Sequence, residues 1–237
     1  MTDAGQCWAV LPAAGTGRRM GSEMPKQYLE VAGATIFEHS LQALLCEPRI
    51  RGVVVALDSG DQRAALCPLM ADDRVRSVQG AEERSGSVLA ALQDLTLVAQ
   101  SGDWILVHDA ARPCLSAVDL AALIDRVIDS GTGGILAERM VDTVKQASAD
   151  GRVQATLDRN SLWRAQTPQM FRLGELREAL VRATGARAGV TDEASAMEMA
   201  GHPVQLVEAT GYNSKVTVPA DLPQAAWYLQ HREGQAL

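Results

Sequence analysis

The chain has 237 residues, with 22 Lys and Arg against 29 Asp and Glu for a formal charge of −7, and 47 % of it is hydrophobic. Area scaling for this mass gives roughly 72 % of the accessible surface buried on folding, enough for one or two self-sufficient cores. A pI near 5.1 and a poverty of aromatic rings, four Trp, three Tyr and two Phe, exclude a basic nucleic-acid groove and a base-stacking platform.

In chain order, short apolar runs alternate with amphipathic stretches. Cys7 to Leu11 predicts the first strand, and Gly52 to Leu57, Val75 to Val78 and Trp104 to Val107 predict three more. A helix opens at Ser85-Gly86-Ser87 and runs to about Val98, which makes Ser87 a first-turn residue. The clearest helix is Ser116 to Asp129: Leu120, Leu123, Ile124, Val127 and Ile128 share a face, Ser116 and Asp119 form a capping pair, and Gly131 ends it. After a strand at Gly134 to Ala137 the pattern breaks. From about Arg139 to Asp158 the chain is polar, carries Asp150-Gly151 suited to a type I′ turn, and alternates Val153, Ala155 and Leu157 with Gln154, Thr156 and Asp158. This predicts a hairpin arm, and because a lone hairpin is marginal in water it calls for a second subunit to pack on. Asp192 to Ala200 is a further helix, capped by Thr191 and closed by Gly201, and Val204 to Val207 a last strand.

Strands alternating with helices imply an α/β fold: a mainly parallel sheet, helices on both faces, and ligands at the carboxyl ends of the strands. No repeat or Pro/Gly/Ser linker divides the chain, so 1–237 reads as one domain with an arm at about 139–161. Cys7, Cys46, Cys67 and Cys114 are scattered without a C-x-x-C pair, which predicts reduced, structural thiols. The N-terminus lacks a basic n-region and no apolar run reaches the ~18 residues of a membrane span, so the reading is cytoplasmic, with no membrane and no nucleic-acid partner.

Chemistry concentrates at two strand ends. After the first strand come Leu11-Pro12-Ala13-Ala14-Gly15-Thr16-Gly17-Arg18-Arg19-Met20 and then Pro25-Lys26-Gln27, a small-residue loop flanked by three cations. Small side chains let backbone N–H groups approach a phosphate chain while Arg and Lys neutralise it. Walker A and dinucleotide spacings both fail, the latter because Met20 stands where a third Gly belongs; the alternative is a plain strand-to-helix turn with a solvated basic patch. Val107-His108-Asp109-Ala110-Ala111-Arg112-Pro113 ends a buried strand. Asp109 is a candidate Mg²⁺ ligand or an ion-pair partner of Arg112, and His108, without a Ser partner, reads as a hydrogen-bonded core residue. Asp158-Arg159-Asn160, Gln166-Thr167-Pro168-Gln169, Thr191-Asp192-Glu193-Ala194-Ser195 and Asn213-Ser214-Lys215-Val216-Thr217 are each weak alone.

In this order and combination the motifs resemble the 2-C-methyl-D-erythritol 4-phosphate cytidylyltransferases of the non-mevalonate isoprenoid pathway, over nearly the whole chain. The resemblance implies a Rossmann-like sheet of the nucleotide-diphospho-sugar transferase type, an interlocking β-arm and homodimer, and Mg²⁺, CTP and a sugar-alcohol phosphate as ligands. By position it implies a CTP site at Ala13, Ala14, Gly15, Gly17, Arg19 and Lys26, with Ala81 and Ser87 near the base and Asp109 at the metal. The acceptor site it implies comprises Asp109, Arg112, Thr143, Arg159, Thr167, Thr191 and Lys215, with Arg19, Lys26 and Lys215 catalytic and Arg159 lent by the partner's arm. Ala81 stands where the family usually has Gly, and carries an L-residue penalty if its φ is positive. The alternatives are a ribitol 5-phosphate cytidylyltransferase, a non-catalytic nucleotide-binding protein of the same fold, and, disfavoured by its glycine spacing, a nicotinamide-dependent dehydrogenase.

Overall fold

Period-two alternation in the buried strands sets the architecture. Ala9, Leu11, Val53, Val55 and Leu106 face one hydrophobic layer, while Val10, Val54, Ile105 and Val107 face another, so the strands carrying them are covered on both sides. The computed structural model describes residues 5–15, 24–185 and 189–231. Its elements are β1 (Cys7–Pro12), β2 (Glu30–Val31), β3 (Ala34–Thr35), α1 (Ile36–Leu45), β4 (Ile50–Leu57), β5 (Val75–Gln79), α2 (Arg84–Leu95), β6 (Trp104–Val107) and α3 (Ala117–Ser130). There follow β7 (Gly134–Arg139), β8 (Val144–Ala147), β9 (Val153–Leu157), β10 (Trp163–Arg172), α4 (Leu173–Gly185), α5 (Glu193–Met199), β11 (Gln205–Glu208) and α6 (Asp221–His231).

Seven strands form one sheet in the order β11-β7-β10-β6-β1-β4-β5. Within it β10 runs antiparallel to both neighbours, and the other pairings are parallel. Phe37, Leu41 and Leu44 of α1 and Leu120, Leu123 and Val127 of α3 close one face; Leu92 of α2, Leu180 of α4 and Met197 of α5 close the other. Each such side chain, fully buried, contributes about 1.5–3 kcal/mol of transfer free energy. The six predicted strands are all present, and so is the mainly parallel sheet. All four cysteines are reduced thiols, with Cys7, Cys67 and Cys114 buried and Cys46 exposed.

Several local expectations are corrected. β10 was not foreseen because Pro168 lies inside it, and a proline, lacking N–H, argues against a central strand. The sheet accommodates it with a register shift between Ala165 and Gln169. Helix α2 ends at Leu95, short of Val98. Ser116 does accept the Asp119 N–H, but the Asp119 carboxylate turns away to Thr210 and Gly211. Asp192, not Thr191, caps α5, in a capping box with Ser195 that leaves Thr191 exposed.

The arm is present as β8 paired with β9. Its turn is not type I′, since Gly151 has φ +82° but Asp150 is not in the left-handed region. Gly151 N–H donates to Ser148 and Ser148 N–H to Arg152, the three-residue loop that needs one left-handed residue rather than two. Trp163 pairs with Arg139, so the arm is the far end of a long hairpin made by β7 and β10. Val141, Val153 and Leu157 on it are exposed.

Candidate active site

The carboxyl ends of β1, β4, β5 and β6 open onto one edge of the sheet, and β10, running backwards, brings Gln166 and Thr167 to the same edge. Beyond β1, Ala13 N–H bonds Ala56, and the buried amide of Gln27 donates to the carbonyls of Ala13 (2.8 Å) and Gly15 (3.1 Å). Gln27 thereby fixes the small-residue loop. Beyond β5, Gly80 N–H bonds Leu57, and Ser87 Oγ accepts the Ala81 N–H at 2.9 Å. Ser87 is thus the staple of the Ala81 loop as well as a cavity wall. Among the described residues Ala32 is the non-glycine residue with positive φ, so the backbone penalty foreseen at Ala81 does not arise; a Cβ on Gly86 would lie 2.8 Å from the Ala81 methyl, which shows how closely that methyl sits on a glycine.

Asp109 lies at the centre. Its Oδ1 accepts from Arg84 Nε at 2.8 Å, and its Oδ2 faces Lys215 Nζ at 2.9 Å and Arg112 Nε at 3.5 Å. Burial alone would raise its pKa, but Arg84, Lys215 and Arg112 outweigh burial and hold the carboxyl well below the usual carboxylate range. Arg84 also forks onto Glu193, with Nη1 and Nη2 at 2.7 and 2.9 Å, and these two carboxylates keep it protonated despite burial. Arg112 is drawn the other way, its pKa lowered chiefly by burial.

His108 is fully buried and pushed down to about 4, first by burial. Its Nε2 meets the Arg112 carbonyl at 3.1 Å, and a carbonyl only accepts, so Nε2 carries the proton and Nδ1 accepts from Thr167 Oγ1 at 3.0 Å. Thr167 Oγ1 in turn accepts the Asp109 N–H at 3.0 Å. The reading of His108 as a hydrogen-bonded core residue matches this geometry.

Two cavities flank Asp109. One, of about 340 Å³, is lined by Ala13, Ala14, Gly15, Lys26, Ala81 and Ser87; the other, of about 200 Å³, by Arg112, Gln166, Thr167 and Thr191. Asp109, Arg84 and Lys215 wall both. The model of the 2-C-methyl-D-erythritol 4-phosphate cytidylyltransferase family matches residues 7–231. The chain belongs to that family. It is 49 % identical over 226 residues to the 2-C-methyl-D-erythritol 4-phosphate cytidylyltransferase of Pseudomonas syringae pv. tomato, covering 95 % of this chain and 94 % of that one. With the same-named protein of Escherichia coli O1:K1 it shares 50 % identity over 222 residues, 93 % of this chain and 92 % of the relative. A crystal structure of the Francisella tularensis 2-C-methyl-D-erythritol 4-phosphate cytidylyltransferase superposes with a TM-score of 0.79 at 36 % identity, over 94 % and 99 % of the two chains.

The structure gathers Ala13, Ala14, Gly15, Lys26, Ala81, Ser87, Asp109, Arg112, Thr167, Thr191 and Lys215 at this edge. Gly17 and Arg19, with Arg18, lie outside the described residues. Thr143 and Arg159 line neither cavity; both are exposed on the arm, where Arg159 donates to the Val141 carbonyl. Thr167 is buried and its hydroxyl proton is committed to His108, which leaves a lone pair but no donor for a substrate phosphate. Sequence reasoning missed Arg84, and it quoted Glu193, Gln27 and Asn213 within motifs without giving them a role; the Asn213 amide holds the Gln166 side chain and the Thr167 carbonyl. For Arg84 a signal existed: a cation in the first turn of a helix opposes the macrodipole and needs an outside partner.

Proposed function

We propose that the chain transfers CMP from CTP to 2-C-methyl-D-erythritol 4-phosphate, releasing pyrophosphate and forming 4-diphosphocytidyl-2-C-methyl-D-erythritol, as its family name describes. The observation that carries this reading is the shared wall of Asp109, Arg84 and Lys215 between a cavity with a small-residue loop and a second polar cavity. Two phosphorylated molecules meeting there face each other across one set of charges. The acceptor's phosphate is already an anion, so the transfer needs no base and no covalent nucleophile on the protein. What the chain supplies is alignment and neutralisation of charge as the acceptor oxygen attacks the α-phosphorus in line.

Lys26, on the loop side, and Lys215, on the wall, are the cations assigned to that charge, with Arg19 as a third. Lys26 Nζ donates to the Val216 carbonyl at 2.7 Å and Lys215 to Asp109, so each exchanges a protein oxygen for a phosphate oxygen rather than being freshly dehydrated. Mg²⁺ fits as an ion that arrives with the nucleotide. Among the described residues no three His, Cys, Asp or Glu converge, and Asp109, already hydrogen-bonded by cations, offers one carboxylate with part of its lone-pair capacity. Asp109 would hold the ion, which would supply neutralisation of phosphate charge.

We further assign the arm to a homodimer. Both faces of β8 and β9 are largely exposed, and Thr143 and Arg159 are displaced from their own chain's cavities, which supports their delivery to a partner's acceptor site. Residues 1–237 act in this reading as one catalytic domain, in the cytoplasm; among the described residues no helix is long and apolar enough to cross a membrane.

The test is pyrophosphate release from each of the four nucleoside triphosphates with Mg²⁺, against methylerythritol phosphate and ribitol 5-phosphate in turn. Release confined to CTP with methylerythritol phosphate is expected. Release with ribitol 5-phosphate in preference, or with no combination, overturns the reading.

A further inference from the structure

We propose that Arg84 and Glu193 form a positioning pair for the transfer step, in which Glu193 grips Arg84 so that Arg84 fixes the rotation of the Asp109 carboxylate. The inference rests on the function proposed above. Its basis is a division of labour around Asp109: Lys215 and Arg112 both address Oδ2, while Oδ1 is taken by Arg84 Nε. The two cations on Oδ2, one of them at 3.5 Å, resist turning about the Cβ–Cγ bond through that oxygen alone. Arg84 at 2.8 Å adds the restraint on the other oxygen.

Arg84 is itself immobilised by geometry. Its Nη1 and Nη2 make the parallel fork with Glu193 Oε1 and Oε2, and its Nε points at Asp109, so the planar guanidinium is defined by three contacts. The Glu193 side chain is 1 % exposed and that of Arg84 28 %, so the anchor is the buried partner and the bridge lies at the cavity wall. Both Glu193 oxygens are taken by the Arg84 guanidinium, so the buried side chain and the bridge it holds are fixed together. The pair also joins two segments remote in sequence, the start of α2 and the start of α5, and so ties the loop that carries Ala81 to the segment that carries Thr191. Arg84 touches Asp109 and Glu193, and it acts through them; it is a positioning residue rather than a catalytic one.

Removing Arg84 alone strands a buried carboxylate and endangers the fold. The informative chains are therefore Arg84→Lys, which keeps the charge but cannot span both carboxylates, and the double variant Arg84→Met/Glu193→Gln, which removes both charges together. Wild-type pyrophosphate release is measured first, and its absence condemns the proposed function rather than this inference. With wild-type turnover established, both variants are expected to melt near the wild-type temperature. Both should bind CTP within threefold of wild type by calorimetry and lose about tenfold to a hundredfold in kcat, the worth of one hydrogen bond to a charged group. Wild-type kcat in the folded double variant shows the pair to be merely structural and overturns the inference. Wild-type kcat in Arg84→Lys shows that charge alone suffices and overturns it as well. A fall in CTP affinity parallel to kcat shows that Arg84 meets the nucleotide directly, and overturns the claim that it acts through Asp109.

Discussion

Lys215 Nζ lies 2.9 Å from Asp109 Oδ2, and this contact fastens the last loop of the site to the end of the central strand β6. The loop is held from three other directions: Asp119 accepts from Thr210 and Gly211, Arg112 donates to the Asn213 carbonyl, and Val216 N–H donates to Ala111. The backbone that carries Lys215 is therefore fixed, and the proposed transfer asks only its head group to move from Asp109 to phosphate.

Lys26 is likewise held through its head group, on the Val216 carbonyl. A cation ~4 Å from a phosphate oxygen is worth up to about 4 kcal/mol at an effective dielectric of ~20, and each ~1.4 kcal/mol is tenfold in rate. Lys26→Ala should lower kcat by ~10²-fold or more while the melting temperature changes little. Turnover within threefold of wild type in steady-state assays removes Lys26 from the mechanism.

Arg159 lines neither of the two cavities beside Asp109 in its own chain and donates to the Val141 carbonyl. Arg159→Ala should raise the acceptor KM and leave CTP affinity by calorimetry nearly intact. If the arm serves a partner, dimers mixed from Lys26→Ala and Arg159→Ala chains regain activity, because one of their sites contains neither lesion. No recovery after confirmed subunit exchange means that each arm serves its own chain.

His108 makes stability pH-dependent. Its folded pKa of about 4 lies below the ordinary 6.5, so above 6.5 it is neutral folded and unfolded alike. Between those values the unfolded chain binds a proton that the folded chain refuses, and stability falls as pH falls, by at most about 1.4 kcal/mol per pH unit. His108→Gln should flatten the melting temperature between pH 6.5 and 4 relative to wild type. Parallel curves for the two chains would assign the acid sensitivity elsewhere.

Gly80 is where three segments touch. A Cβ there would lie 2.6 Å from the Ala14 Cβ and 2.9 Å from Ser87 Oγ, distances that force the loops apart. Gly80→Ala should cost about 1–3 kcal/mol of stability and weaken CTP binding, since Ala14 and Ser87 both wall the larger cavity. Gly102→Ala, with open space around its Cβ position, is the control. Equal CTP affinity in the two variants refutes the link between this packing and the nucleotide cavity.

Most of the sheet was legible because buried parallel strands leave uninterrupted apolar runs, as Trp104 to Val107 does. The strand β10 was not, since Gln166, Thr167 and Pro168 serve the site and its hydrogen bonds rather than strand propensity. Missing it also hid the origin of α4, whose Leu173, Leu176 and Leu180 stripe becomes readable once the strand is known to end at Arg172. The site was legible as motifs, but its wiring was not. Arg84, Glu193 and Gln27 act through partners that only the fold brings near, and nothing local in Asp192-Glu193 tells which of the two carboxylates is buried.

The reversed direction of β10 has a consequence for how the family's chains can vary. Because β7 leaves the sheet and β10 re-enters it as paired neighbours, Arg139 beside Trp163, everything between them is an excursion with a fixed doorway. Lengthening, shortening or exchanging that excursion alters no strand register and no core contact, and the closure entropy grows only slowly with its length. What Thr143 and Arg159 contribute to the proposed subunit pairing and acceptor contact is therefore portable as one segment, while Arg112, Thr167, Thr191 and Lys215 stay with the sheet and its loops.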